Sequence, residues 1–204
     1  MPDPDAIVIV IDDDPSFRRS TARLIDSAGL KVQLFDSAKS FLRAQRPDAP
    51  SCVVLDVRMP EMSGIDLQKE LARTGIEIPL IFIAGDADIS MSVEAMKAGA
   101  IEFLTKPFRE QALLDAIEEA VQQDRIAREK RSKLAVLQAH YDLLTPRERE
   151  VMTGVVSGLL NKQIAAELGT VEKTIKFHRA HIMKKMQAHS LAELVQMAGS
   201  LTDR

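Results

Sequence analysis

Acidic side chains and one lysine stand at the ends of short apolar runs in the first half of the sequence. Asp12 and Asp13 end the first run, Asp56 ends the third, and Lys106 follows the fifth. Carboxylates brought together repel one another, so such a cluster needs a hard divalent cation, and ligation by oxygen alone suits Mg²⁺. With the charge shielded, one carboxylate can attack a phosphoryl group while the ammonium pairs with the transferred oxygens. Each acid alone could simply cap a turn, but together they predict a phosphoryl-transfer site.

A basic amphipathic segment near the C-terminus is a second candidate site. At about 100° per residue, Ile175, Ile182 and Met186 share one face of a helix. The opposite face and its flanks carry lysines, one aromatic residue and a small one, namely Lys173, Lys176, Phe177, Ala180 and Lys184. A helix in the major groove of DNA needs such a face, with lysines for phosphates and guanine edges and apolar atoms for thymine methyls. On charge alone, a solvated lysine face would look the same.

Strands and helices that would position the acidic cluster alternate along the first half of the chain. Short apolar runs without polar alternation predict strands buried on both faces of a parallel sheet. These runs are Ile7–Ile11, Val32–Phe35, Cys52–Leu55, Leu80–Ile83 and Ile101–Leu104. Helical patterns lie near Ser16–Ala28, Ala38–Ala44, Ile65–Arg73, Ile89–Ala98 and Glu110–Val121. The sequence thus predicts a doubly wound, five-stranded parallel α/β domain, with all strand C-termini, and therefore the acids and the lysine, at one edge.

The segment between Pro107 and Pro146 contains no glycine and no interior proline. Residues 122–133 are almost wholly polar, and a helical spacing of apolar residues resumes at Leu134, Leu137 and Tyr141. We therefore predict a helical linker over residues 122–141 that continues the last α/β helix. A solvated, partly disordered charged tether is the alternative.

The remaining residues, 142–204, predict an all-α domain. Thr145, Pro146 and Glu148 supply an N-cap, a first-turn proline and a capping box. Two glycines end two short helices, a third helix covers about residues 172–187, and a fourth begins after Ser190. Short helices joined by tight turns are typical of a helix-turn-helix.

Composition excludes several protein classes. Hydrophobic residues make up 46% and charged residues 28% of the chain, as in a soluble globular protein. No apolar run approaches the roughly 20 residues that span a bilayer, and the N-terminus lacks the basic segment of a secretory signal. The single cysteine, Cys52, cannot form an internal disulfide. We therefore expect a cytoplasmic protein that does not contact a membrane.

The net charge of −3 is distributed unevenly. Residues 1–125 contain 14 Lys and Arg against 22 Asp and Glu, a net charge of −8, whereas residues 126–204 contain 13 against 8, a net charge of +5. We expect only the basic C-terminal part to meet a polyanion.

Three motifs in the first half resemble those of response-regulator receiver domains. They are IDDD at Ile11–Asp14, LDVRMPEMSG at Leu55–Gly64 and TKPF at Thr105–Phe108. The resemblance covers residue 6 to about residue 121, so we expect the receiver domain to occupy residues 1–121.

The resemblance implies a role for each residue of the acidic cluster. Asp56 would accept phosphate from a cognate histidine kinase, and Lys106 would contact the phosphoryl group. Mg²⁺ would be held by the carboxylates of Asp12, Asp13 and Asp56 and by the backbone carbonyl of Arg58. Phe103 matches the switch aromatic of the family, although an ordinary strand aromatic would occupy the same position.

Ala84 departs from the receiver pattern. The family has Thr or Ser after the fourth strand, whose hydroxyl donates to the phosphoryl oxygen and draws its loop inward. Alanine has no donor, and Asp86 and Asp88 add negative charge to the same loop. We expect Asp56 to accept phosphate while coupling weakly to loop closure, unless another group substitutes for the hydroxyl.

The C-terminal domain resembles the LuxR-type helix-turn-helix in its motifs LTPREREV, GLLNKQIAAEL and KTIKFHRAHIMKKM. With a receiver ahead of it, the architecture resembles the NarL/FixJ subfamily of response regulators. Phosphate contacts are expected from Lys162, Lys173 and Thr174, and contacts with bases from Lys176, Phe177 and Ala180. His178 and Arg179 could contact phosphate, or they could instead cap a helix and form ion pairs with Glu148 or Glu150. Val171 replaces the usual serine N-cap, and Thr170 could cap with a one-residue shift.

The resemblance also implies partners. We expect a homodimer on double-stranded promoter DNA, formed through about Ile89–Leu104 or about Leu191–Met197, and contact with RNA polymerase. The leading hypothesis is a transcription factor controlled by phosphorylation, not an enzyme. A phosphoryl-transfer relay and a DNA-binding protein whose receiver serves only for docking are the alternatives.

Overall fold

Strands and helices alternate in the first half of the chain, and the second half is wholly helical. The computed structural model describes residues 5–85 and 89–202, so the predicted loop charges of Asp86 and Asp88 lie outside the described residues. The strands are β1 Ile7–Ile11, β2 Lys31–Phe35, β3 Ser51–Asp56, β4 Leu80–Ala84 and β5 Glu102–Thr105. The helices between and after them are α1 Pro15–Ser27, α2 Ala38–Arg43, α3 Gly64–Arg73, α4 Ile89–Lys97 and α5 Glu110–Asp142. The second half contains α6 Pro146–Val156, α7 Asn161–Glu167, α8 Glu172–Met186 and α9 Leu191–Thr202.

The five strands form one parallel sheet in the order β2-β1-β3-β4-β5. This order confirms the predicted doubly wound fold. In the register, Ile11 lies opposite Leu55, so Asp12, the residue after β1, comes next to Asp56, the last residue of the adjacent strand β3. Lys106 follows the end of β5 at the same edge, and its backbone N–H donates to the carbonyl of Ala84 at 2.7 Å.

Both faces of the three central strands are buried, which explains why β1, β3 and β4 show no polar alternation. The edge strands β2 and β5 are partly exposed, so the prediction that all five strands are buried on both faces is wrong for these two. Ile9 and Ile11 belong to the apolar cluster on one face, and Val8 and Val10 belong to the cluster on the other. Cys52 is fully buried in the second cluster, and this burial, with a smaller contribution from a nearby carboxylate, raises the pKa of its thiol far above the ordinary range. The predicted buried strand cysteine is therefore confirmed as an unreactive core residue.

Helix α5 is continuous through the segment that separates the α/β part from the helical part. The chain forms two compact units, Met1–Arg128 and Glu129–Arg204, so the division falls inside the segment predicted as a linker. Asp124 lies buried within that polar segment, where it accepts hydrogen bonds from the Ser51 backbone N–H and from the Arg128 Nε, both at 2.8 Å. No helix in the described part of the chain is both long enough and apolar enough to cross a bilayer.

In the second unit, α6 to α9 share one apolar core. The predicted inner face of α8 is confirmed, because Ile175, Ile182 and Met186 lie in one cluster with Ile164 and Ala165 of α7. Thr145 begins α6 as a capping box with Glu148, also as predicted. These contacts fix α7 and α8 as a helix-turn-helix.

Two helical glycines in this unit should respond oppositely to alanine. A Cβ at Gly154 of α6 would lie 2.9 Å from Cγ1 of Ile164, a fully buried side chain, so Gly154→Ala should lower the free energy of unfolding by about 1–3 kcal/mol. Gly199 of α9 faces open space, so Gly199→Ala should raise it by about 0.5–1 kcal/mol through helix propensity. Urea denaturation followed by circular dichroism measures both, and equal signs would contradict the close approach of α6 and α7.

Candidate functional site

Lys106 joins two buried carboxylates at the C-terminal edge of the sheet. Its Nζ lies 3.1 Å from Oδ2 of Asp12 and 3.0 Å from Oδ1 of Asp56. Asp12 is 2% exposed and Asp56 8% exposed, whereas the lysine side chain is partly accessible. The structure thus brings together three of the four residues of the predicted cluster. Asp13 is exposed and lies outside it.

Backbone N–H groups hold the remaining oxygens of both carboxylates. The N–H of Asp14 donates to Oδ1 of Asp12 at 2.8 Å, and the N–H of Arg58 donates to Oδ2 of Asp56 at 2.7 Å. Gly64 packs against the backbone of Asp56, since a Cβ there would lie only 2.6 Å from the carbonyl oxygen of Asp56. The orientation of the Asp56 carboxylate is therefore fixed by local backbone that accepts only glycine at position 64.

Charge in this pocket is not fully balanced. Burial raises the pKa of Asp12 above its ordinary value, and it outweighs the hydrogen bonds from the Asp14 N–H and from Lys106. Partial burial disfavours the Lys106 ammonium, but its hydrogen bonds to Asp56 and Asp12 outweigh burial and raise the pKa of Lys106. Two carboxylates therefore share one ammonium and attract further positive charge.

The carboxylates of this pocket fit a hard divalent cation by their chemistry. The buried Asp12 and Asp56 supply oxygen ligands and carry excess negative charge, which suits Mg²⁺. Within residues 5–85 and 89–202, acidic, histidine and cysteine side chains form no group of three that could hold a metal ion. A complete site would therefore need Asp13 to turn inward or a backbone carbonyl, such as that of Arg58, to contribute.

The two predicted switch residues lie on the same face of the sheet. Ala84 ends β4, is 2% exposed, and lies opposite Thr105 of β5 in the register. Phe103 is half-buried, with its ring 6.1 Å from that of Phe82 and the two planes 25° apart. The position at which the resemblance implies a hydroxyl is thus a buried methyl group.

Phe17 of α1 completes the surroundings of Lys106, and sequence reasoning did not single it out. The Lys106 Nζ lies 3.7 Å from the centroid of the Phe17 ring. On the same helix, the Arg18 guanidinium donates to the backbone carbonyl of Asp12. The available sequence signal was weak, because an aromatic residue in the first turn of an amphipathic helix is more often an ordinary core residue.

The outward face of α8 carries most of the residues predicted to contact DNA. Thr174 is half-buried, whereas the other predicted residues of α7 and α8 are exposed, namely Lys162, Lys173, Lys176, Phe177, Ala180 and Lys184. Phe177 is 59% exposed, and its ring lies 4.1 Å from that of His181. Lys176 forms an ion pair of 3.0 Å with Glu172 one turn earlier. An exposed aromatic ring flanked by lysines can contact a polyanion with apolar groups of its own.

The suggestion that Thr170 caps α8 is wrong. Val171 is the N-cap of α8 without a side-chain hydrogen bond, so Thr170 does not cap a shifted helix. The helix tolerates this because its inner face is buried and Glu172 lies in the first turn, where its charge is favourable.

Ion pairs of His178 or Arg179 with Glu148 or Glu150, which the sequence left open as an alternative to phosphate contact, do not form among the described residues. Arg179 donates to Oδ1 of Asn161 on α7 at 2.7 Å, and Glu148 is bound by Lys185 at 2.6 Å. Lys185 lies two turns further along α8 than His178, which is where α8 passes the start of α6.

Comparisons with known proteins match both units. The family model described as the response regulator receiver domain matches residues 8–118, and that for bacterial regulatory proteins of the luxR family matches residues 142–198.

Known proteins match nearly the whole chain. Nodulation protein W of Bradyrhizobium diazoefficiens is 53% identical over 196 residues, which cover 96% of this chain and 86% of that protein. Transcriptional regulatory protein FixJ of the same species is 44% identical over 199 residues, covering 96% and 97%. The solved structure of response regulator StyR is 49% identical with a TM-score of 0.87, covering 96% of this chain and 98% of that one.

Proposed function

This chain belongs to the response regulators that join a receiver domain to a LuxR-type DNA-binding domain, and we propose that phosphorylation of Asp56 controls its binding to DNA. It is a DNA-binding transcriptional regulator of a two-component system. The observation that carries the proposal is the placement of Asp56, whose buried carboxylate is held by one backbone N–H and by Lys106. We assign the receiver to residues 1–121, the helical linker to 122–141 and the DNA-binding domain to 142–204.

Phosphoryl transfer at Asp56 needs few groups. One carboxylate oxygen attacks phosphorus as the bond from phosphorus to the imidazole nitrogen of a kinase phosphohistidine breaks, and the electron pair leaves with that nitrogen. Lys106, now paired with Oδ1 of Asp56, would move to a phosphoryl oxygen. Asp12, Asp13, Asp56 and the Arg58 carbonyl would hold Mg²⁺, which shields the incoming charge when bound. We assign the chain no other catalytic reaction.

Phosphorylation and DNA binding of the whole chain test the proposal directly. Incubation with acetyl phosphate and MgCl₂ should add the mass of one phosphoryl group, and the modified protein should bind a duplex selected from a random library more tightly than the unmodified protein. Phosphorylation without any change in DNA affinity would favour a relay. DNA binding without phosphorylation would favour a docking receiver.

Ala84→Thr should strengthen the response to phosphate. A hydrogen bond to a charged oxygen contributes about 1.5–3 kcal/mol, so the added hydroxyl should shift dimerisation under beryllofluoride by about tenfold or more. Ala84→Val is the matched control, since it adds the same volume to the buried end of β4 without a donor. Sedimentation in MgCl₂ measures the effect. An equal response of Ala84→Thr and wild type would contradict the proposed weak coupling and point to another donor, for which the exposed Thr105 is the candidate.

Lysines of α8 should divide into two classes of DNA contact. Lys173→Ala should weaken binding to all sequences and reduce the slope of log affinity against log salt by about 0.9, as for one lost phosphate contact. Lys176→Ala should instead lose about 1–3 kcal/mol of discrimination between selected and random duplexes. Lys133→Ala on α5 is the exposed control. Fluorescence anisotropy across salt concentrations separates these cases, and identical behaviour of both α8 variants and the control would contradict the assignment of this face.

Exposed apolar side chains support the proposed dimer. Val93 and Met96 of α4 and Leu191 and Val195 of α9 are each more than two-fifths exposed. These residues lie within the two segments proposed as interfaces, about Ile89–Leu104 and about Leu191–Met197. A cognate histidine kinase and RNA polymerase complete the proposed partners.

A further inference from the structure

The ammonium of Lys106 has a third neighbour besides its two carboxylates. Its Nζ lies 3.7 Å from the centroid of the Phe17 ring, so the aromatic face covers one side of the cation. The opposing partners are Asp12 at 3.1 Å and Asp56 at 3.0 Å. The Phe17 ring is itself packed edge-to-face against Phe108, with centroids 6.3 Å apart and planes at 78°.

We infer that Phe17 is a positioning residue for phosphoryl transfer, holding the Lys106 ammonium by a cation–π contact where the phosphoryl oxygens of Asp56 arrive. The inference rests on the proposed function of Asp56. Lysine carries its charge on a flexible four-carbon stem, so two carboxylates alone leave the ammonium free to turn toward water. An aromatic face attracts a cation and excludes water from that side.

Helix α1 is a rigid support for this contact. Its N-cap residue, Asp14, donates its backbone N–H to Asp12 at 2.8 Å, so the start of α1 is tied to the same carboxylate that pairs with Lys106. Arg18 of α1 is a second cation nearby. It donates to the backbone carbonyl of Asp12 and so does not replace Lys106 as the partner of the two carboxylates. The Phe17 ring is thus fixed relative to the phosphorylation site by α1 on one side and by Phe108 on the other.

Fluorinated phenylalanines at position 17 test the contact without altering packing. Successive fluorines weaken the negative face of the ring while nearly preserving its shape. The rate of phosphorylation of full-length protein by acetyl phosphate should fall stepwise from phenylalanine to trifluorophenylalanine, by about 2- to 30-fold in total, the range of a cation–π contact. Phe17→Tyr should retain the rate of wild type, and Phe17→Leu should be at least as slow as the trifluoro protein. A flat fluorine series would overturn the inference.

A measurement without phosphate or MgCl₂ separates this inference from the proposed function. The Lys106 side-chain protons over the ring should show an upfield ring-current shift by NMR, which Phe17→Leu removes and Phe17→Tyr keeps. If wild-type protein showed this shift but could not be phosphorylated, the proposed function would fail and so would the role of Phe17 in it. If phosphorylation proceeded but Lys106 showed no ring-current shift, only the role of Phe17 would be overturned.

Discussion

Asp56→Asn is expected to abolish phosphorylation of the chain by acetyl phosphate or by a kinase. The amide is neutral and a far weaker nucleophile than the carboxylate, so the bond to phosphorus cannot form at a useful rate. Its NH₂ group would also face either the Lys106 ammonium or the Arg58 N–H, both of which are donors to Asp56 in the wild type. Intact mass spectrometry after incubation should show no phosphoryl adduct, and the increase in DNA affinity should disappear with it.

Asp115→Asn is the matched control for this experiment. Asp115 lies exposed on α5, where it accepts a hydrogen bond from Gln111, and its substitution should leave phosphorylation unchanged. Thermal unfolding should show that Asp56→Asn is folded, because removing one of two neighbouring carboxylates also removes their mutual repulsion. A phosphoryl adduct of normal stoichiometry on Asp56→Asn would place the acceptor elsewhere and contradict the assignment.

The proposed phosphoryl acceptor and the proposed DNA-binding face lie in separate units, so we expect that each activity can be lost alone. Asp56→Asn should retain the basal affinity of the protein for DNA, because the outward residues of α8 belong to the second unit. Lys176→Ala should retain phosphorylation for the same reason. A variant pair that behaves in this way shows that the two activities are separable. Regulation of one unit by the other is then shown by the increase in DNA affinity on phosphorylation, which Asp56→Asn should lack.

The fold was largely predictable because its signals are local. The apolar runs of the central strands, the glycine or proline at several helix ends and the capping box at Thr145 and Glu148 each act over a few residues. The acidic cluster was predictable as well, since parallel strands bring their C-terminal ends to one edge. Asp56 and Lys106 meet there, at 3.0 Å, although 50 residues separate them in sequence.

Contacts that depend on which helix faces which were not predictable. Phe17 over Lys106, Asp124 under Ser51 and Lys185 on Glu148 each join residues of distant elements with no shared motif. The N-cap of α8 was predicted wrongly for a related reason. Burial of the inner face of α8 stabilises a helix start that lacks a side-chain cap. Periodicity shows that a face is buried, whereas its partners follow only from the packing angles of the helices.

Glu148 joins the start of α6 to α8 through a buried carboxylate, and its loss should destabilise the second unit strongly. The side chain is 3% exposed, and its Oε2 accepts hydrogen bonds from Lys185 at 2.6 Å and from the Thr145 backbone N–H at 2.8 Å. Glu148→Ala removes the capping box and the ion pair together. Because the Lys185 side chain is partly accessible and can turn to water, the expected loss is about 2–4 kcal/mol, below the upper range for buried pairs.

Glu150→Ala is the matched control on the same helix. Glu150 also forms an ion pair, with Arg147 at 2.7 Å, but it is half-exposed, so its loss should change the free energy of unfolding by less than about 1 kcal/mol. Native-state hydrogen exchange of full-length protein, read from peptides of α6 and α8, measures both variants. Equal protection in Glu148→Ala and Glu150→Ala would contradict the structural role of the buried carboxylate.

The same carboxylate should make the second unit sensitive to acid. Burial opposes ionisation of Glu148, but hydrogen bonds from Lys185 and Thr145 outweigh it and hold the pKa of Glu148 below its ordinary value. A carboxyl with a lowered folded-state pKa stabilises the fold fully above its unfolded pKa, and this stabilisation is lost as pH falls through the folded pKa. Wild-type protection of α6 and α8 should therefore decline below about pH 4.3, the ordinary glutamate value. In Glu148→Gln this part of the decline should be absent, because the amide keeps its oxygen acceptor but has no proton to gain. The difference in protection between wild type and Glu148→Gln at neutral pH then measures the ion pair with Lys185, rather than hydrogen bonding alone.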